Sequence, residues 1–459
     1  MLGSRRSAAR ALVCAGVTAL FMLCVAGARA DDGSAVDQIV AVLREKGLID
    51  AATGDEILAK QAKSEATQSA KTTPSVGQGL LEGFIFSGDL RLRDEQFWYG
   101  SSGLGVSGAN DNNRMRYRAR IGFTKQIVPW ALVGVRLVTG TTDYRSTNVS
   151  VGESSDFSYD NVFFDRLYAQ FALPDPGIGL ATTVTAGKIP NPFIWKNGMD
   201  KILWDEDITP EGAVITTSYS PTENTKVYAT TGLFTELQNA AHTDPKVWAF
   251  QTGGSLKLPE AVEVGARASY YDWRALTNDA TTATRTGFVG RSVALGNLPS
   301  AFDPDMRIIE SSGYVSWGGL EGWPVILWGT WAQNLAADGA VVSGVRVGAN
   351  DTAYGVGVEA GDPKTLFRVG LAWQHIEANA VPALYTDSDM FDGQTNREGW
   401  ALYGSRELWS NTEFKLSLWD KAPIKTTASG TGTGPFNISP ATDSQAERYR
   451  LQADLNFKF

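Results

Sequence analysis

Glu447-Arg-Tyr-Arg-Leu-Gln-Ala-Asp-Leu-Asn-Phe-Lys-Phe459 alternates apolar and polar side chains. Tyr449, Leu451, Ala453, Leu455, Phe457 and Phe459 fall on one face of this stretch. Arg448, Arg450, Gln452, Asp454, Asn456 and Lys458 fall on the other. Period two over this length describes a strand between an apolar and a wet environment. A soluble sandwich can supply one such strand, so the rest of the chain has to separate the two readings.

The other end supplies the first test. Arg5, Arg6 and Arg10 form a basic region, Ala11 to Ala28 an apolar one, and Ala28-Arg-Ala30 a small-x-small cleavage pattern. Residues 1–30 thus read as a secretory signal. Cys14 and Cys24, the two cysteines of the chain, leave with it. That excludes disulfides, thiolate metal sites and thiol catalysis from the mature chain. The signal also removes four arginines, leaving 37 basic against 50 acidic residues. Such an acidic balance argues against nucleic acid as a partner. No mature segment reaches the roughly 18 consecutive apolar residues of a membrane helix. A transmembrane barrel reconciles export with a polar composition, because its strands show lipid only every second side chain.

Residues 31–81 differ in kind. Ser34-Ala-Val-Asp37 and Thr53-Gly-Asp-Glu56 are capping boxes ahead of apolar residues at helical spacing, with a Ser/Thr/Pro/Gly linker at 72–79. The pattern predicts a short two-helix periplasmic segment. From residue 82 to 459 sixteen strand-like runs follow, near 82–96, 111–125, 130–145, 161–173, 180–189, 211–220, 224–235, 245–258, 261–275, 305–317, 323–335, 350–361, 364–379, 397–408, 411–420 and 447–459. Short turns alternate with long polar loops between them. The expectation is an all-β, 16-stranded antiparallel transmembrane barrel, with short turns on the periplasmic side and long loops outside.

Several stretches resemble the Gram-negative "putative porin" family. They are Gln38-Ile-Val-Ala-Val-Leu-Arg-Glu-Lys-Gly47, Phe86-Ser-Gly-Asp-Leu-Arg-Leu-Arg93, Asn113-Arg-Met-Arg-Tyr-Arg-Ala-Arg-Ile-Gly122 and Ala186-Gly-Lys-Ile-Pro-Asn-Pro-Phe193. The resemblance implies a general-diffusion or small-solute porin, a homotrimer, and a loop folded into the lumen. Its surroundings would be outer-membrane lipid and lipopolysaccharide, its cargo small hydrophilic solutes, and no cofactor is implied.

Arg114, Arg116, Arg118 and Arg120 alternate with Met115, Tyr117, Ala119 and Ile121, so the four arginines share one strand face. Facing lipid they would cost about 2–4 kcal/mol each near the midplane. They are therefore expected in the lumen, joined by Arg91, Arg93 and Arg136, and by Arg448, Arg450 and Lys458 from the closing strand. Two readings of this basic wall stand: a ladder that guides anions, or a structural wall neutralised by Asp89, Glu95 and Asp454. The loop Pro190–Pro210 carries Asp200, Asp205, Glu206 and Asp207 beside apolar Phe193, Ile194, Trp195, Ile202, Leu203 and Trp204. Folded inward, its acids would oppose the arginines across a constriction and create a transverse field. The alternative for the acidic run is a solvated loop tip.

Asp387-Ser-Asp389-Met-Phe-Asp392-Gly393 resembles a calcium loop whose third acid falls one residue late, and is expected to be a polar outer loop. The histidines are His242, in a loop, and His375, on the face of Leu371 and Trp373 that points to lipid or the interface. Neither is flanked by a nucleophile pattern, so a hydrolase is the weaker alternative. A structural or tethering barrel with a closed lumen is the other.

Overall fold

The computed structural model describes residues 83–459 except 100–111, 142, 154–157, 196–200, 237, 239–242, 277–294, 299–304, 321–322, 343–344 and 426–446. The chain divides into two units, 1–82 and 83–459, and the fold described is that of the second. The signal expected at 1–30 and the helical segment and linker expected at 31–81 lie outside the described residues, as do Asp200 and His242.

Each of the sixteen expected runs holds a strand. They are β1 (Phe84–Tyr99), β2 (Asn112–Val128), β3 (Ala131–Thr139), β4 (Val162–Leu173), β5 (Leu180–Lys188), β6 (Glu211–Thr222), β7 (Thr225–Thr235) and β8 (Lys246–Leu258). The second half comprises β9 (Val262–Arg274), β10 (Arg307–Leu320), β11 (Trp323–Asn334), β12 (Thr352–Gly361), β13 (Arg368–Ile376), β14 (Arg397–Trp409), β15 (Thr412–Pro423) and β16 (Arg448–Lys458). Sequence neighbours pair antiparallel throughout. β16 then pairs with β1, setting Asp89 opposite Lys458, Leu92 opposite Leu455 and Tyr99 opposite Arg448. The sheet therefore closes and leaves no edge unpaired, which hydrocarbon surroundings require.

Alternation along each strand separates the two environments. Met115 is 61% exposed on the outer face, and Leu90, Leu92 and Ile121 join it. Arg93 is 3% exposed on the inner one, with Arg91 and Arg118. Period two, not overall polarity, thus carries the membrane signal.

The short connections are ordered by their own polar groups. At the β4–β5 turn the Asp175 carboxylate accepts the N–H groups of Gly177, Ile178, Gly179 and Leu180. Desolvation raises its pKa, but these four donors together outweigh it and hold the carboxyl below its ordinary value. At the β12–β13 turn the Asp362 carboxylate accepts from Lys364 N, and its carbonyl from Thr365 N and Leu366 N. This local turn takes residues 364–367 out of the sheet, so β13 is shorter than the expected 364–379.

Strand β3 also stops short of the expected 145. Its place beside the upper part of β2 is taken by Val149 and Ser150, which pair with Tyr117 and Arg116. The chain after Thr139 therefore doubles back onto the basic strand.

Candidate functional site

Arginines of β16, β1 and β2 share the inward face, and their chemistry follows from register. Inward positions on β16, β1 and β2 bring arginines and acids side by side. Arg93 Nε lies 2.6 Å from Asp454 Oδ1. Asp89 pairs with Arg118 at 2.7 Å and Arg120 at 2.6 Å. Glu95 is completely buried and central. It pairs with Arg114 and Arg450, lies 3.5 Å from Arg93 and 3.8 Å from Arg116, and accepts a hydrogen bond from Gln452 Nε2 at 2.8 Å. At Arg136 a bulge in β4 inserts Asp165, which pairs with it.

Three loops fold onto this wall. In the loop after β3, Asn148 Oδ1 accepts from Arg91 Nη2 at 2.7 Å. In the loop after β13, Asp389 lies 3.0 Å from Arg93 and 3.1 Å from Arg450. Asp392 of the same loop pairs with Arg448 and, at 2.7 Å, with Lys421. The segment expected to be a polar outer loop is thus an internal one, and its acids are committed to guanidinium and ammonium groups. Among the described residues no group of three His, Cys, Asp or Glu side chains is arranged to hold a metal ion.

The loop between β5 and β6 crosses the interior. Its base is closed by Ile189 N donating to Pro210 O at 2.9 Å. Phe193 is buried against Tyr271 and Phe234, and its carbonyl accepts from Arg267. Ile202 reaches the far wall, where a Cβ on Gly355 of β12 would lie 3.5 Å from its Cδ1. Trp204 stacks on Tyr385 at 5.2 Å, and Asp205 N donates to Tyr385 O at 2.7 Å. Burying Phe193, Ile202 and Leu203 stabilises the inward position by about 1.5–3 kcal/mol per side chain.

The acids of this loop divide into three environments. Asp207 Oδ1 lies 3.2 Å from Arg120 Nη1, while its Oδ2 accepts from Thr147 N and Oγ1, both at 3.2 Å. Asp205 accepts from Ser388 N at 2.7 Å and Asp207 N at 2.9 Å. Burial, then the charges of Asp387 and Asp207, push its carboxyl well above the ordinary range. Glu206 has a side chain 51% exposed, 3.6 Å from Lys201. Lys201 lowers its carboxyl to about 2; burial opposes this, and Lys415 and Arg91 add to the lowering. Among the described acids of the loop, only Glu206 keeps this exposure beside cations, and Asp207 alone touches an arginine of the wall.

Several participants had no place in the expected wall or constriction: Asn148, Asp165, Lys201, Asp389, Asp392 and Lys415. Asp389 and Asp392 were visible only as a faulty metal motif, and Asp165 depends on a bulge that periodicity hides. His375 lies on the outer face as expected, its Nδ1 2.9 Å from Glu398 Oε2.

A model of the family described as "Putative porin" matches residues 105–295 and 298–439. Solved structures share the architecture at low identity. Pseudomonas putida OprB is 10% identical, with 82% of this chain and 94% of that chain covered, at a TM-score of 0.48. Salmonella typhi OmpF, in a complex with daunomycin, is 11% identical over 82% and 97%, at 0.46. The outer membrane channel DcaP of Acinetobacter baumannii is 10% identical over 82% and 97%, at 0.44. No curated protein matches the chain in sequence. The family model covers well over half of the residues, and the chain belongs to the "Putative porin" family, as an outer-membrane β-barrel channel for passive solute diffusion.

Proposed function

We propose that small hydrophilic solutes cross a water-filled lumen narrowed, and not sealed, by the β5–β6 loop. Glu206 carries the reading: it is a half-exposed acid on the inward loop, with Lys201, Lys415 and Arg91 near enough to act on its charge. Acid and cations across a narrow passage set up a transverse field that aligns polar solutes and disfavours apolar ones. Arg93 and Arg450, buried against the β13–β14 loop, and Arg118, buried and paired with Asp89, brace the wall in this scheme. Arg91, Arg114, Arg116, Arg120, Arg136 and Arg448 make up the rest of the basic wall and add its positive potential to the passage.

In the same reading residues 1–30 direct export, 31–81 form a periplasmic helical segment, and 82–459 insert among outer-membrane lipid and lipopolysaccharide as a homotrimer. The outer apolar belt of Leu90, Leu92, Met115 and Ile121 suits such surroundings. Reversal potentials in planar bilayers under a salt gradient test the passage. Replacing Arg91 and Lys415 with Ala is expected to move selectivity toward cations. An unchanged reversal potential puts both residues off the permeation path.

A further inference from the structure

The β5–β6 loop has a second side. Opposite the arginines, its Pro192–Trp195 edge and the inner faces of β6–β11 enclose a cavity of about 550 Å³. Its wall is largely apolar, with hydroxyls and one amide placed along it. Thr216 and Thr230 share a hydrogen bond of 3.2 Å, and Tyr228 OH donates to Gln251 Oε1 at 3.1 Å. Ser218, Ser255 and Ser316 add hydroxyls on the same wall. Aromatic surface comes from Trp195 and Tyr314, whose rings meet edge to face at 5.4 Å.

Two features keep this space open and nearly free of net charge. The Tyr314 ring lies over Gly265, where a Cβ would fall 2.3 Å from Cε1, so glycine lets the ring rest flat on the wall instead of filling the lumen. The ionised groups come in opposite pairs: Arg267 lies 3.3 Å from Glu310, and Lys226 and Glu263 line the cavity with one charge of each sign. An ion moving here gives up hydration without finding an excess of countercharge. A neutral polyol exchanges water hydroxyls for protein hydroxyls and lays its C–H face on an aromatic ring. Apolar surface with a few placed polar groups, at this volume, is the usual make-up of a small-molecule subsite.

We propose that this cavity is a subsite for neutral polyhydroxylated solutes of mono- to disaccharide size, so that the lumen offers them a stopping point apart from the arginine wall. The proposal deepens the channel reading and rests on it. The test uses the full-length folded protein in planar bilayers, with maltose titrated against the potassium chloride current. A saturable reduction of current is expected, its half-blocking concentration rising about tenfold in Trp195→Ala, the equivalent of about 1.4 kcal/mol, and recovering in Trp195→Phe. Gluconate is expected to need a higher concentration than glucose. A reduction that follows solution viscosity alone, or is the same in Trp195→Ala, or is equal for gluconate and glucose, overturns the subsite. Failure of the channel reading is distinct, since it shows as no current steps before sugar is added. Calorimetric titration of maltose into the detergent-folded chain then decides the subsite by itself, with saturable binding weakened in Trp195→Ala supporting it and no binding heat overturning it.

Discussion

Nη1 of Arg93 lies 3.0 Å from Oδ1 of Asp389, joining an arginine of strand β1 to a loop nearly three hundred residues away. Arg93 also holds Asp454 on the closing strand, so one guanidinium ties the seam of the barrel to the inward β13–β14 loop. Glu95, two positions along β1, does the same from the acidic side by pairing with Arg114 of β2 and Arg450 of β16.

Glu95→Gln is therefore expected to be the most damaging conservative change in the wall. It leaves four buried or half-buried guanidinium groups short of one countercharge. Breaking a buried ion pair by removing one partner costs about 3–5 kcal/mol. The expected result is a lower temperature for the heat-dependent mobility shift on gels, with the variant still inserting into detergent. A transition unchanged from the parent contradicts the assignment.

Glu206→Gln should behave in the opposite way. The side chain is half exposed, and an exposed ion pair contributes only about 0–1 kcal/mol. Stability is expected to be unchanged, while the reversal potential moves toward anion selectivity. A variant with the parent's selectivity would place Glu206 outside the passage.

Asp205 and the acids of the β13–β14 loop carry opposite pH signs. Asp205 has a raised pKa in the fold, because it is buried beside Asp387 and Asp207. Its contribution is complete below its unfolded value, about pH 4, and is lost as pH rises through the folded pKa. Asp389 and Asp392 are buried too, which raises their pKa values, but Arg93 and Arg450 outweigh this at Asp389, and Lys421 and Arg448 at Asp392. Their contribution is present above about pH 4 and is lost as pH falls through the depressed folded values. Melting temperatures of the parent and Asp205→Asn across this range are expected to diverge, with the difference moving in favour of the variant as pH rises above 4. A difference that stays level or moves the other way rejects the raised Asp205.

Much of this architecture was legible in the residues. Alternation at Arg114–Ile121 and at Arg448–Phe459 specified which side chains face inward, because an arginine toward lipid is too costly. The strand ends were less legible. β3 stops at Thr139 because Val149 and Ser150 compete for β2, a long-range pairing that local periodicity does not report. The loop acids were legible as charges and not as partners. Asp205, Glu206 and Asp207 are consecutive, yet one meets Ser388, one Lys201 and one Arg120. Those fates follow from how three loops pack together: Asp205 and Asp207 meet residues far along the chain, while Glu206 meets Lys201 of its own loop. The same holds for Asp389, whose spacing suggested a cation and whose cation proved to be an arginine.

In the proposed channel the β5–β6 loop narrows an open lumen. Ile202 and Leu203 hold it by burial, and truncating each is expected to cost about 2–5 kcal/mol of docking. Single-channel conductance of the purified protein, compared with the Ile202→Ala/Leu203→Ala double variant, measures the narrowing. Discrete steps in the parent and larger or noisier steps in the variant are the predicted result. A folded parent that shows no steps, or a variant whose conductance matches the parent despite a demonstrably released loop, would contradict it.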